Sequence, residues 1–131
     1  MSVTFSWSAS QGGTQNSTSK TITPNDEGVV RINDVAVSNG STDKVIALGG
    51  IDVSQVVAVY MHSTVALTLE TNHTAATGGN TITLAANVPL QWCTGAPFSN
   101  PLTNDVTIAY ATNSSGSAAV LNVVVVQDST P

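Results

Sequence analysis

Residues 105–127 read Asp-Val-Thr-Ile-Ala-Tyr-Ala-Thr, then Asn-Ser-Ser-Gly-Ser, then Ala-Ala-Val-Leu-Asn-Val-Val-Val-Val-Gln. The first segment alternates, with Val106, Ile108 and Tyr110 on one face, the period-two signature of a half-buried strand. Residues 113–117 are turn formers and read as a hairpin turn. The last segment carries four consecutive valines, Val123 to Val126. Such a run predicts burial on both faces. Two strands and a turn set the grain of the whole chain.

The same grain runs toward the N-terminus. Val3, Phe5 and Trp7 alternate with Thr4, Ser6 and Ser8, which predicts a strand. Residues 11–16 (Gln-Gly-Gly-Thr-Gln-Asn) read as a loop, and residues 18–23 as a second strand ended by the turn cluster at 24–28. Residues 29–37 alternate on two incompatible faces, which a kink or bulge near Asn33-Asp34 would reconcile. Asn39-Gly40 is the strongest short hairpin signal available. Further strands are expected at 44–48, 56–61, 64–70 and 81–85. Gly49-Gly50, His62-Ser63 and residues 77–80 stand between them, and His62-Ser63 is either a turn or a continuation. Residues 88–92 contain Pro89 and suit an edge strand or a strand start. Residues 94–104, with Gly95, Pro97 and Pro101, form a loop.

No helical spacing of apolar residues is sustained over 11 positions. The expected fold is therefore all-β. It is an antiparallel two-sheet β-sandwich of eight to ten short strands, jelly-roll-like, with an Ig-like sandwich as the alternative. At 131 residues the chain is one domain's worth. Residues 1–10 are a candidate N-terminal arm or strand used in assembly.

Composition narrows the function. Charged residues are 8% of the chain, against about 25% in an ordinary soluble domain. Three basic residues and a net charge of −5 cannot neutralise many phosphates, so nucleic acid is not an expected partner. The longest apolar run is far short of the roughly 20 residues of a membrane-spanning helix. Residues 1–5 have no basic segment followed by an apolar one, so no secretory signal is expected in this chain. Cys93 is the single cysteine. That excludes an intrachain disulfide, and the residue reads as a small core residue. Sequons start at Asn16, Asn39, Asn72 and Asn113, as chance predicts where Ser and Thr are so abundant.

Catalytic chemistry is not signalled. The acids Asp26, Glu27, Asp34, Asp43, Asp52, Glu70, Asp105 and Asp128 fall in no spacing that pairs two across a cleft. Asp26, Glu27, Asp43 and Asp52 sit in loops, but without the ligand spacing of a calcium loop. His62 and His73 lack a third metal ligand, and Gly-x-Ser-x-Gly and phosphate-loop motifs are absent. The expectation is a protein with no reaction, cofactor or metal. Among the aromatic residues, Trp7, Tyr60 and Tyr110 fall in alternating strands and are expected in the core or at a subunit contact. Trp92 and Phe98 flank the Pro/Gly loop and are the candidate platform if the ligand is a glycan.

Low charge also bears on assembly. Unpaired strand edges are normally guarded by lysine and other charges, and this chain has few. Edges are therefore expected to be covered by copies of the chain or by a larger lattice. The candidate interface residues are Val3, Phe5, Trp7, Trp92 and Phe98, apolar or aromatic at positions a core does not require.

The second half carries a resemblance. Its elements are residues 67–72 (Leu-Thr-Leu-Glu-Thr-Asn), 80–85 (Asn-Thr-Ile-Thr-Leu-Ala), 88–92 (Val-Pro-Leu-Gln-Trp), 100–102 (Asn-Pro-Leu) and 105–113, closing with Gly116, residues 118–122 and Gln127-Asp128. Across these elements it resembles small tailed-phage virion proteins of the capsid decoration, or cement, type. The resemblance implies a β-rich structural protein on the outer capsid surface of the virion. Its partners would be the major capsid protein and copies of itself, often as a trimer at three-fold positions. It would brace the shell and carry no catalytic residues. The alternative function is a carbohydrate-binding module or an adhesin or fibre domain.

Overall fold

The computed structural model describes residues 2–23, 27–74 and 79–128. Ten strands follow in order: β1 (Val3–Gln11), β2 (Thr14–Ile22), β3 (Glu27–Val37), β4 (Lys44–Ile46), β5 (Val56–Ser63), β6 (Leu67–Thr71), β7 (Thr81–Leu84), β8 (Leu90–Cys93), β9 (Ala109–Thr112) and β10 (Ala119–Asp128). His62-Ser63 is thus a continuation of β5. A single 3₁₀ turn at Val53–Gln55 precedes β5, capped by Asp52, whose carboxylate accepts from the Ser54 N–H at 3.0 Å. All described pairings are antiparallel.

β3 pairs with β10, β4 with β9, β5 with β8 and β6 with β7. Among the eight strands from β3 onward these are first with last, second with seventh, third with sixth and fourth with fifth. The chain is thus one antiparallel ribbon doubled back between β6 and β7. It is then rolled so that β10 also meets β5 and β9 also meets β6. The result is two four-stranded sheets, β3-β10-β5-β8 and β4-β9-β6-β7. This order is the jelly roll; the Ig-like alternative would group its strands differently.

The core lies between the sheets. Leu121, Val123 and Val125 of β10 meet Val59 and Met61 of β5, and across the gap Leu67, Leu69, Ile82 and Leu84, all buried. β10 lies between β3 and β5 in its sheet, and most of its valine run is buried. The expected kink in β3 is present. The β3–β10 register slips between Leu121 and Val123, Asp34 takes φ 50°, and its N–H donates to Asn122 Oδ1 at 2.9 Å.

Two turns read as hairpins do something else. Asn39-Gly40 does turn the chain, with the Ser41 N–H donating to the Ser38 carbonyl at 3.1 Å. However, it carries the chain from β3 in one sheet to β4 in the other. Residues 113–117 likewise cross from β9 to β10 in the opposite sheet. Local turn chemistry is the same for a hairpin and for a corner between sheets; only partner choice differs. Tyr110 is also misplaced by simple alternation. It lies opposite Val45 and Glu70 on the outer face and is half-buried, while Ala109 and Ala111 face the core. The phase breaks at Thr107, whose N–H is taken by Asn72 Oδ1 at 2.9 Å and whose carbonyl lies where a Cβ on Gly49 would have to sit. A one-residue slip moves every later side chain to the other face.

Of the two readings of residues 1–10, arm or strand, the structure has the strand, paired with β2 in a hairpin. β1 and β2 pair without interruption from Val3↔Ile22 to Gln11↔Thr14. Only Gly12 (φ 56°) and Gly13 (φ 83°) form the turn, so residues 14–16 belong to β2 and not to a loop. Two consecutive positive φ values define a type I′ turn, which glycine adopts without strain. Replacing both glycines with alanine is expected to cost about 1–2 kcal/mol per residue in the hairpin alone. Hydrogen exchange should report it as faster exchange of β1 and β2 amides with the sandwich unchanged; uniform loss across all strands would contradict it.

Candidate interaction cleft

Directly opposed residues of a hairpin share a face. One face of β1–β2 therefore carries Val3, Phe5, Trp7 and Ala9 with Ile22, Lys20, Thr18 and Asn16. The other is built from Thr4, Ser6, Ser8 and Ser10 with Thr21, Ser19, Ser17 and Gln15. Hydroxyls meet across it, as where Thr4 Oγ1 and Thr21 Oγ1 lie 2.9 Å apart.

The apolar face is where the hairpin meets the sandwich. Phe5 is buried in a small second core with Ala58, Cys93 and Val126, flanked by Val3, Ile22 and Tyr60. These are outer-face residues of β5, β8 and β10, so the hairpin base roofs that sheet. Cys93 is buried beneath it, as its reading as a small core residue requires. Tyr60 is half-buried against this roof rather than in the main core.

Beyond Phe5 the face opens. Trp7 stacks at a tilt on Phe5, with ring centroids 6.0 Å apart, and is 39% exposed. It is thus neither a core residue nor fully free. A cleft of about 320 Å³ lies beside it, lined by Trp7, Lys20, Gln91, Trp92, Pro97 and Phe98 among others. Trp92 leans on the main core and donates its indole N–H to the Phe98 carbonyl at 3.0 Å. The loop between them is pinned by the Thr94 N–H to the Val57 carbonyl at 3.0 Å and by the Ala96 N–H to the Cys93 carbonyl at 3.0 Å. Gly95, at φ 92°, makes that turn feasible. Phe98 is left 59% exposed.

All five candidate interface residues thus gather on one side of the molecule. Phe5 and Val3 are spent within the chain, Trp92 is half-buried with its N–H committed, and Trp7 and Phe98 are the rings that face solvent. Trp92 and Phe98, the expected platform pair, both line the cleft, and Trp7 joins Phe98 as its second solvent-facing ring. Sequence reasoning missed Lys20 and Gln91 on the cleft wall, because their role depends on the β1–β2 and β5–β8 registers.

Two of the described acids serve turns. Asp105 Oδ1 accepts from the Val53 N–H at 2.9 Å, and Asp52 holds Ser54. Asp26 and the Glu27 side chain lie outside the described residues, as do residues 1, 24–25, 75–78 and 129–131. Among the described residues no three His, Cys, Asp or Glu side chains gather as a metal-binding group. The cleft offers apolar contact, one ammonium group and an amide. No protein-family model, curated protein or solved structure gives a match to the chain.

Proposed function

We propose that the chain is a capsid decoration protein, binding the outer surface of a phage shell and bridging neighbouring capsid subunits. The observation that carries this reading is the sparsely charged surface formed by the hairpin and the Trp92–Phe98 loop. Trp7 and Phe98 are both exposed around its cleft, whereas the other exposed large apolar residues, Val45 and Val88, do not line it. Burying such a surface costs little desolvation, since charges are the expensive groups to bury. Aromatic anchors set in a pocket are also the typical carriers of interface energy. The resemblance of the second half to decoration proteins supplies the capsid as partner.

The test places a carboxylate in the cleft. Phe98→Asp should leave the circular dichroism spectrum and solution mass unchanged, because the side chain is mostly exposed. It should weaken co-sedimentation with the cognate capsid at least ten-fold, which corresponds to about 1.4 kcal/mol. Undiminished binding would remove the cleft from the interface.

The two solvent-facing rings in one cleft also favour a second reading, a glycan-binding module. A change in tryptophan fluorescence on adding glycans, lost in Trp7→Ala, would select it over the capsid reading.

A further inference from the structure

The β1–β2 hairpin has two long edges, and the register fixes which groups they expose. A two-residue turn closes on a hydrogen-bonded pair, here Gln11↔Thr14. Hydrogen-bonded and non-bonded pairs then alternate, so Ala9, Trp7, Phe5 and Val3 bond to β2. Thr4, Ser6, Ser8 and Ser10 turn their backbone N–H and C=O groups outward from β1. Among the described residues no strand and no backbone hydrogen bond from the sandwich meets that edge.

Natural proteins blunt such an edge with lysine, proline or a bulge. β1 reads Val-Thr-Phe-Ser-Trp-Ser-Ala-Ser-Gln, with no charge and no proline, and its pairing with β2 contains no register shift. β2 differs in carrying Lys20. The distribution of charge points the same way. All eight acids of this chain of net charge −5 lie outside residues 2–23. Two copies therefore repel through their sandwiches and meet at least cost through their hairpins.

We propose that β1 pairs antiparallel with β1 of a second copy about a two-fold axis at Ser8. The product is a four-stranded sheet in the order β2-β1-β1-β2, an isologous and closed interface. Ser6 of one copy then lies opposite Ser10 of the other, and Trp7 opposite Ala9. The hydroxyl face continues unbroken across the junction. The contact is a single strand edge from each copy, so the pairing is expected to depend on concentration. It deepens the assembly reading and rests on it only for its place on a capsid. It replaces the three-fold association implied by the resemblance with a two-fold one.

Light scattering of the full chain across a concentration series tests it. The mass should rise from 13.3 kDa toward twice that value. Ser8→Pro removes the central outward N–H and should stay monomeric, whereas Ser8→Thr keeps the N–H and should still pair. Should proline disturb the hairpin, Ser8→Lys provides the second variant. It leaves the backbone donors in place and sets two ammonium groups opposite each other, so it should also be monomeric. A monomeric native chain, a trimeric mass, or a Ser8→Lys variant that pairs like the native chain would overturn the proposal. Capsid binding is not the readout, so its loss with the dimer intact counts against the decoration reading alone.

Discussion

Phe5→Ala should release the N-terminal hairpin from the sandwich and expose Cys93 to thiol reagents. Phe5 is 4% exposed and is the hairpin's deepest anchor, resting on Ala58, Cys93 and Val126. Truncating a buried phenylalanine to alanine costs about 3–5 kcal/mol where the site cannot collapse. The lower end applies here, because one wall is a hairpin that can move. About 3 kcal/mol shifts a local opening equilibrium by roughly 100-fold. The Cys93 labelling rate should rise by about that factor, and protease should cut within residues 2–23 while the sandwich survives. A labelling rate within two-fold of the native chain would show that the hairpin is not what covers Cys93. The same geometry sets what an N-terminal deletion would do. Removing residues 1–10 takes Phe5 with it, uncovers the outer face of β5, β8 and β10, and leaves β2 without its partner. Such a deletion tests the second core as well as assembly.

Asn113→Ala should be the costlier change for the sandwich itself. Asn113 is fully buried at the corner between β9 and β10. Its amide donates to the Val37 carbonyl at 2.9 Å and the Ser117 carbonyl at 2.8 Å. Its Oδ1 accepts from the Ser115 N–H at 3.1 Å and the Ser115 hydroxyl at 2.7 Å. Its backbone ties the other corner, donating to the Ser41 carbonyl at 2.9 Å and accepting from the Gly40 N–H at 2.8 Å. One residue thus joins two of the corners through which the chain passes between sheets. Alanine takes the amide N–H from the buried Val37 carbonyl, at about 1–3 kcal/mol, and also removes the bonds that hold Ser115 and Ser117 in the corner. A total near about 3 kcal/mol lowers Tm by roughly 10 °C in a domain of this size. Asn113→Asp should be worse despite its shape, because it turns an oxygen toward the Val37 and Ser117 carbonyls where the amide had N–H groups. Calorimetry that ranked Asp above Ala would contradict this account of the corner.

The strands were legible in the sequence wherever one face is apolar. Ile82 and Leu84 read correctly because one-sided burial imposes period two, the valines of β10 because burial on both faces leaves an unbroken apolar run, and Pro89 because proline is tolerated just ahead of the edge strand β8. The first half of β2 did not, because residues 14–21 hold no apolar residue on either face. A strand of Thr, Gln, Asn and Ser looks like a loop until Gly12 and Gly13 are known to form the whole turn. The corners at Asn39-Gly40 and Asn113–Ser117 were legible as turns but not as crossings. The preference of Asn113 for two separate carbonyls leaves no mark on local composition. The candidate interface residues stand out in the sequence as apolar at positions a core does not require. Their convergence, Trp7 with residues 92–98, arises from a contact between distant parts of the chain that no local pattern encodes.

The placement of β10 also governs how the protein is made. β10 is the last strand of the fold to leave the ribosome, yet it lies inside its sheet, bonded to β3 on one side and β5 on the other. Until it emerges, β3 and β5 have no mutual partner and their edges stay open. Neither sheet can close during synthesis, since each outer pair of the ribbon joins an early strand to a late one. Folding is therefore expected to begin only when synthesis of the domain is nearly complete, and to be slow, as contacts between distant parts of a chain require. The nascent chain spends that interval with β3 without its partner and β5 open along the edge that β10 fills, the state in which β proteins most readily aggregate. The scarcity of charge that makes this surface inexpensive to bury also leaves the unfinished chain with little electrostatic repulsion to keep it apart from its neighbours.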